Sequence, residues 1–202
     1  MKWALRVFVV ASMLGPGLAA AARPSDAEAI TALILCYARG TDAIGDATTH
    51  ADPLASGRAV YRQCLAPDAE IRGWFPQRPF DAQAFPDPTA HPDTAPRAIR
   101  GPDAWAEHVN SVFRGKGYTF TQHAISNVEI SVDGTRGTLT AYLTATLVIS
   151  GLAVGDPSRC VTAANGTYSA NVKKQRAGWR IARLYLTLIT FNPIFQSGEG
   201  CH

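Results

Sequence analysis

His123 lies in the run Thr119–Asn127, where strand-forming Phe120, Thr121 and Ile125 lead through Val128, Ile130 and Val132 to the hairpin signal Asp133-Gly134. An imidazole changes charge near neutral pH, so a histidine held in mid-strand can move a proton during catalysis. It can equally be a core residue satisfied by a carbonyl. A second reactive group stands far upstream. Ile30, Leu33, Ile34 and Tyr37 recur at i, i+3, i+4 and i+7, and the same stripe continues to Thr41 and Asp42. A carboxylate where the core-facing stripe calls for an apolar residue is costly unless paired. Asp42 therefore either ends its helix facing water or points into a pocket as a functional group.

The elements that must position these residues can be read in order. Ser25-Asp26-Ala27-Glu28 is a capping box that starts the first helix. Val60, Tyr61, Cys64 and Leu65 mark a second helix, stopped by Pro67. Ala69 to Phe75 reads as a short strand with Trp74 near its end. Residues 76–98 hold six prolines with little periodicity, the pattern of an extended surface loop. Pro102 opens a third helix with Trp105, Val109, Val112 and Phe113 as its buried stripe.

From Tyr118 onward the chain reads as a meander. In the strand containing His123, Ile125 and Asn127 share its parity, whereas Val128, Ile130 and Val132 take the other. One period-2 ladder cannot bury both sets, which predicts a β-bulge near Asn127. The next strand alternates cleanly, with Leu139, Ala141, Leu143, Ala145, Leu147 and Ile149 on one face. Thr138, Thr140, Tyr142, Thr144 and Thr146 take the other. Val161 to Lys174 and Trp179 to about Pro193 complete the set. Three helices followed by a bent, mostly antiparallel sheet predict an α+β fold with a cavity between helices and sheet.

Composition bounds the function. The 202 residues are 47% hydrophobic and 17% charged with a net charge of +3, enough for a sizeable core in one domain over 23–202. The cations are scattered, which argues against nucleic acid as a partner. Residues 1–22 read as a signal peptide: Lys2 and Arg6, an apolar Val7–Leu18 stretch, then Ala20-Ala21-Ala22. No later segment has the length and apolarity to span a bilayer. Export to the periplasm or beyond makes disulfides plausible among Cys36, Cys64, Cys160 and Cys201. Cys160 with Cys201 is the favoured pair, both lying in loop-like surroundings; Cys36 and Cys64 sit in helical patterns, where free buried thiols are as natural.

Three stretches, Tyr37-Ala38-Arg39-Gly40-Thr41-Asp42, Thr121-Gln122-His123 with Asn127, and Gly166-Thr167-Tyr168 leading to Gly178-Trp179-Arg180-Ile181, resemble one family. It is the SnoaL-like branch of the nuclear transport factor 2-like superfamily, of the scytalone dehydratase, bile acid dehydratase and dehydrochlorinase type. The likeness runs from about residue 25 to 193, with the proline-rich segment as an insertion. It implies a cone-shaped α+β barrel and a catalytic pair in which Asp42, shielded from water, orients His123. It also implies a hydrogen bond from Tyr37 and a basic residue near Lys174.

The chemistry implied is elimination or isomerisation without cofactor or metal, His123 taking a proton from carbon and Tyr37 donating to a developing oxyanion or departing hydroxyl. Neither G-x-G-x-x-G, a phosphate loop nor H-E-x-x-H occurs. Tyr142, Trp74 and Lys174 are the further candidate substrate contacts, and His108 reads as a surface or edge residue. Two other functions fit the same fold: a protein that carries a small apolar ligand, and a homodimeric interaction module using the Thr- and Tyr-bearing sheet face. Asp42 and His123 in hydrogen-bond reach on one cavity would favour the enzyme.

Overall fold

The computed structural model describes residues 24–74, 97–149 and 160–196. The predicted signal peptide, most of the proline-rich segment and Cys201 lie outside them. Three helices, α1 (Asp26–Gly45), α2 (Pro53–Cys64) and α3 (Pro102–Lys116), pack against a sheet of β1 (Leu65–Trp74), β2 (Ile99–Arg100), β3 (Tyr118–Asp133), β4 (Arg136–Ile149), β5 (Cys160–Gln175) and β6 (Gly178–Gln196). The strand order is β2-β1-β6-β5-β4-β3. All neighbours run antiparallel except β1 and β6, which are parallel. The fold is the expected α+β one, and its mixed sheet is open, not closed into a barrel.

Each helix starts where local chemistry dictates. Ser25 and Glu28 close the capping box of α1, satisfying two otherwise orphaned donors. Asp52 caps α2 with Pro53 in its first turn, earlier than the apolar pattern alone indicates. Helix α3 ends on Gly117, whose φ of 74° a glycine adopts without strain. Pro67 ends no helix. It lies within β1, which begins at Leu65, and falls where the pairing with β6 breaks register between Leu65 and Glu70.

The parity conflict in β3 is resolved as expected. Asn127 takes φ of 50°, and the register with β4 shifts between Ser126 and Glu129. In β4, Leu139, Ala141, Leu143, Ala145 and Leu147 are buried while the threonine face looks outward. The core joins these residues to Ile30, Ile34, Tyr37, Ile44, Tyr61, Trp105, Tyr168 and Ile181.

For Cys36 and Cys64, which the sequence left open between free thiols and a bridge, the structure shows a disulfide, Cα atoms 6.0 Å apart, tying α1 to α2. Helix packing brings them together, because a Cβ on Gly57 would lie 2.2 Å from Ile44 and 2.6 Å from the Gly40 carbonyl. The two backbones approach as closely as glycine allows. Cys160 is also disulfide-bonded, while its favoured partner, Cys201, falls outside the described residues.

Candidate active site

Asp42 lies one turn before the end of α1, and α1 crosses the inner side of β3. The crossing is tight at Gly45, where a Cβ would sit 2.0 Å from Thr121 Oγ1. This brings the Asp42 carboxylate over residues 121–123. Thr121 Oγ1 donates to Asp42 Oδ1 at 3.2 Å, and the backbone N–H of His123 donates to Oδ2 at 3.0 Å. His123 Nδ1 stands 2.6 Å from Oδ1. A carboxylate only accepts, so Nδ1 carries the hydrogen, and in the neutral ring the lone pair is on Nε2. The His123 side chain is 8% exposed and that of Asp42 28%. Asp42 is thus less shielded than expected and supports the ring from behind.

His123 lines a cavity of about 370 Å³ between the helices and the sheet, within the range of small-molecule sites. Aromatic and aliphatic side chains dominate its wall, among them Tyr37, Trp105, Phe113, Tyr118, Leu143 and Tyr168. Tyr37 is buried, stacked on Tyr61 with ring centroids 5.4 Å apart and on Trp105 at 6.5 Å, and meets Tyr168 edge-on at 5.4 Å. Burial pushes the Tyr37 phenol above its ordinary range, with Trp105 and Thr41 opposing the shift. Burial likewise raises Tyr61 and Tyr168. All three phenols are therefore protonated, neutral groups at physiological pH. No set of three or more His, Cys, Asp or Glu side chains that could hold a metal ion occurs among the described residues.

Tyr37 and His123 thus line one cavity, and Asp42 is bonded to His123. Of the other nominated contacts, Tyr142 and Lys174 do not join them. Tyr142 is 55% exposed on the outer face, paired across strands with Ser126 and Thr167. Burying Leu139, Leu143 and Leu147 of the same strand forces it outward. Lys174 lies near the far end of β5, where its Nζ pairs with Asp26 at 2.8 Å and stands 5.6 Å over the Trp179 ring. It holds the start of α1 and does not line the cavity. Trp74 ends β1, and its side chain lies outside the described residues.

His108 is exposed, as its reading as a surface or edge residue expects, and from that edge it also reaches the cavity. Its ring lies 5.3 Å from that of Trp105, and partial burial lowers its pKa. Its spacing from Trp105 and Val112, three and four residues, placed it beside the stripe and could have revealed it. Thr41, Trp105 and Tyr168 also line the cavity. Thr121 sits inside the motif that flagged His123, but only the helix crossing shows that it bonds Asp42.

An open, bent sheet over three helices, with an aromatic cavity between them, defines the nuclear transport factor 2-like class of α+β folds. The chain belongs to the SnoaL-like domain family, which matches residues 22–185. Among solved structures it is similar to hexachlorocyclohexane dehydrochlorinase LinA-type3 from Novosphingobium barchaimii LL02, at 12% identity and TM-score 0.56, covering 85% of this chain and 92% of that one. It is also similar to a candidate scytalone dehydratase from Novosphingobium aromaticivorans DSM 12444, at 16% identity and TM-score 0.53, covering 86% and 90%. A nuclear transport factor 2-like superfamily protein from Salmonella enterica gives 16% identity and TM-score 0.52 over 87% and 95%. At these identities the likeness is one of fold. No curated protein matches the chain by sequence.

Proposed function

We propose that the protein is a cofactor-independent lyase or isomerase of the dehydratase type, acting on a small, mostly apolar molecule. The observation that carries this reading is the 2.6 Å contact between His123 Nδ1 and Asp42 Oδ1 on a ring that lines the cavity. His123 Nε2 takes a proton from a carbon beside an activating group. The C–H electron pair forms the new double bond, the leaving group departs with its pair, and Tyr37 donates to the oxygen that gains charge. Asp42 stabilises the imidazolium without leaving its hydrogen bonds. Dehydrochlorinase and dehydratase names among the structural neighbours agree with this class of reaction.

Location is part of the same proposal. A leader over residues 1–22 and the Cys36–Cys64 bridge both suit an exported protein, since disulfides persist in oxidising compartments.

A test is incubation with a panel of cyclic β-hydroxyketones, following the absorbance of the conjugated enone that loss of water produces. Asp42→Asn should lower turnover about 100- to 10,000-fold, and His123→Gln at least as much. The double variant should be little worse than His123→Gln alone, because the two residues act as one unit. Undiminished turnover by His123→Gln would sink the assignment.

A further inference from the structure

Polar groups meet where α1, α2 and α3 come together beside the cavity. Thr41 Oγ1 is within donating reach of the Tyr37 carbonyl at 3.2 Å, an oxygen that can only accept. The same Oγ1 lies 2.7 Å from Tyr61 Oη, a bond in which either hydroxyl can donate. Thr41 and Tyr61 are thus engaged with each other inside the protein. Tyr37 beside them lines the cavity.

Trp105 stands against this group. Its residue is 4% exposed, and Nε1 is fully buried with no hydrogen-bond partner among the described residues. An unmet buried donor carries its whole desolvation cost, so such an atom calls for a reason. Indole N–H donates and cannot accept. Its ring lies nearly parallel to that of Tyr37, at an interplanar angle of 26°. Its influence on both neighbouring phenols is that of a donor, opposing the effect of burial.

Building on the elimination reading above, we propose that Trp105 is a positioning residue for Tyr37. Its indole N–H donates to the Tyr37 oxygen as the cavity fills, and so commits the phenol's own hydrogen to an oxygen acceptor on the substrate. The two rings are already stacked, with centroids 6.5 Å apart. A phenol that accepts a hydrogen bond becomes the better donor, because the bonds polarise one another in series. The Tyr37 hydrogen then points toward an uncharged carbonyl or hydroxyl oxygen.

The test uses NMR of the indole Hε1 resonance, assigned with Trp105→Phe, and two probes of one skeleton, 2-tetralone and tetralin. Adding 2-tetralone should move the Trp105 Hε1 signal downfield in the wild-type protein and in Tyr61→Phe, but not in Tyr37→Phe. Trp105→Phe should weaken 2-tetralone roughly 2- to 10-fold, the worth of a hydrogen bond between neutral groups, and leave tetralin unchanged. The preference for 2-tetralone should persist in His123→Gln, so the outcome is independent of the dyad chemistry. An indole signal that 2-tetralone moves equally in Tyr37→Phe, no preference for 2-tetralone in the wild-type protein, or equal weakening of both probes by Trp105→Phe overturns the proposal. If Trp105→Phe does not fold, NOEs between the indole and Tyr37 rings assign the signal, and the comparison of Tyr37→Phe with Tyr61→Phe decides the matter alone.

Discussion

Gly45 and Thr121 are packed so closely that no side chain fits between them: a Cβ on Gly45 would meet Thr121 Oγ1 at 2.0 Å. That contact sets the distance between α1 and β3, and hence the reach of Asp42 to His123 Nδ1. Gly45→Ala should destabilise the protein by about 1–3 kcal/mol through overpacking. It should also separate Asp42 from His123, whereas an alanine at exposed Gly115, where a Cβ meets nothing within 4 Å, should do neither. Urea denaturation gives the first effect, and the 15N shifts of the His123 ring report the second by loss of the Nδ1–H tautomer. A Gly45→Ala protein with wild-type stability and tautomer would mean that this contact yields easily.

The Cys36–Cys64 bridge spans 28 residues of sequence between α1 and α2. Closing a loop of that length should contribute about 3–4 kcal/mol by restricting the unfolded chain. The Cys36→Ala/Cys64→Ala double variant should lose that amount in denaturant titrations under non-reducing conditions. Peptide mapping without reductant should recover the two cysteines in one linked fragment. Two free thiols at these positions would contradict the pairing.

His108 predicts a pH dependence of stability. Burial lowers its pKa below the ordinary value of 6.5. Above that value both folded and unfolded chains leave it neutral, and it costs nothing. As pH falls through 6.5 the unfolded chain protonates first, so stability drops with falling pH. Thermal melting should therefore decline between about pH 7 and 5.5, and by less in His108→Gln. The ion-paired Asp68 and Asp103 have lowered pKa values and act in a separate window. Their contribution is present above the ordinary 3.8 and fades as pH falls below it. Identical pH profiles for wild type and His108→Gln would place the neutral-range effect elsewhere.

Much of this molecule follows from short-range chemistry that a sequence carries openly. The Ser25–Glu28 capping box, Pro102 at the start of α3, the β4 alternation and the parity break at Asn127 all depend on neighbours a few residues away. Periodicity of the α1 stripe was enough to single out Asp42, and a histidine in mid-strand was enough to single out His123. The β4 alternation had also grouped Tyr142 with the threonines. Naming it a substrate contact required that face to turn inward, against the burial of Leu139, Leu143 and Leu147.

What local pattern could not decide are the relations across the chain. Asp42 and His123 are 81 residues apart in sequence, and their 2.6 Å contact exists because α1 can rest on β3 at Gly45. Cys36 meets Cys64 because Gly57 lets α2 approach α1, a fact no spacing of cysteines encodes. The Thr41–Tyr61 hydrogen bond, between α1 and α2, likewise exists only because distant segments bring the two hydroxyls within reach. Propensity and periodicity act along the backbone, whereas pairing, burial and hydrogen-bond polarity arise only when distant segments are packed to contact distance.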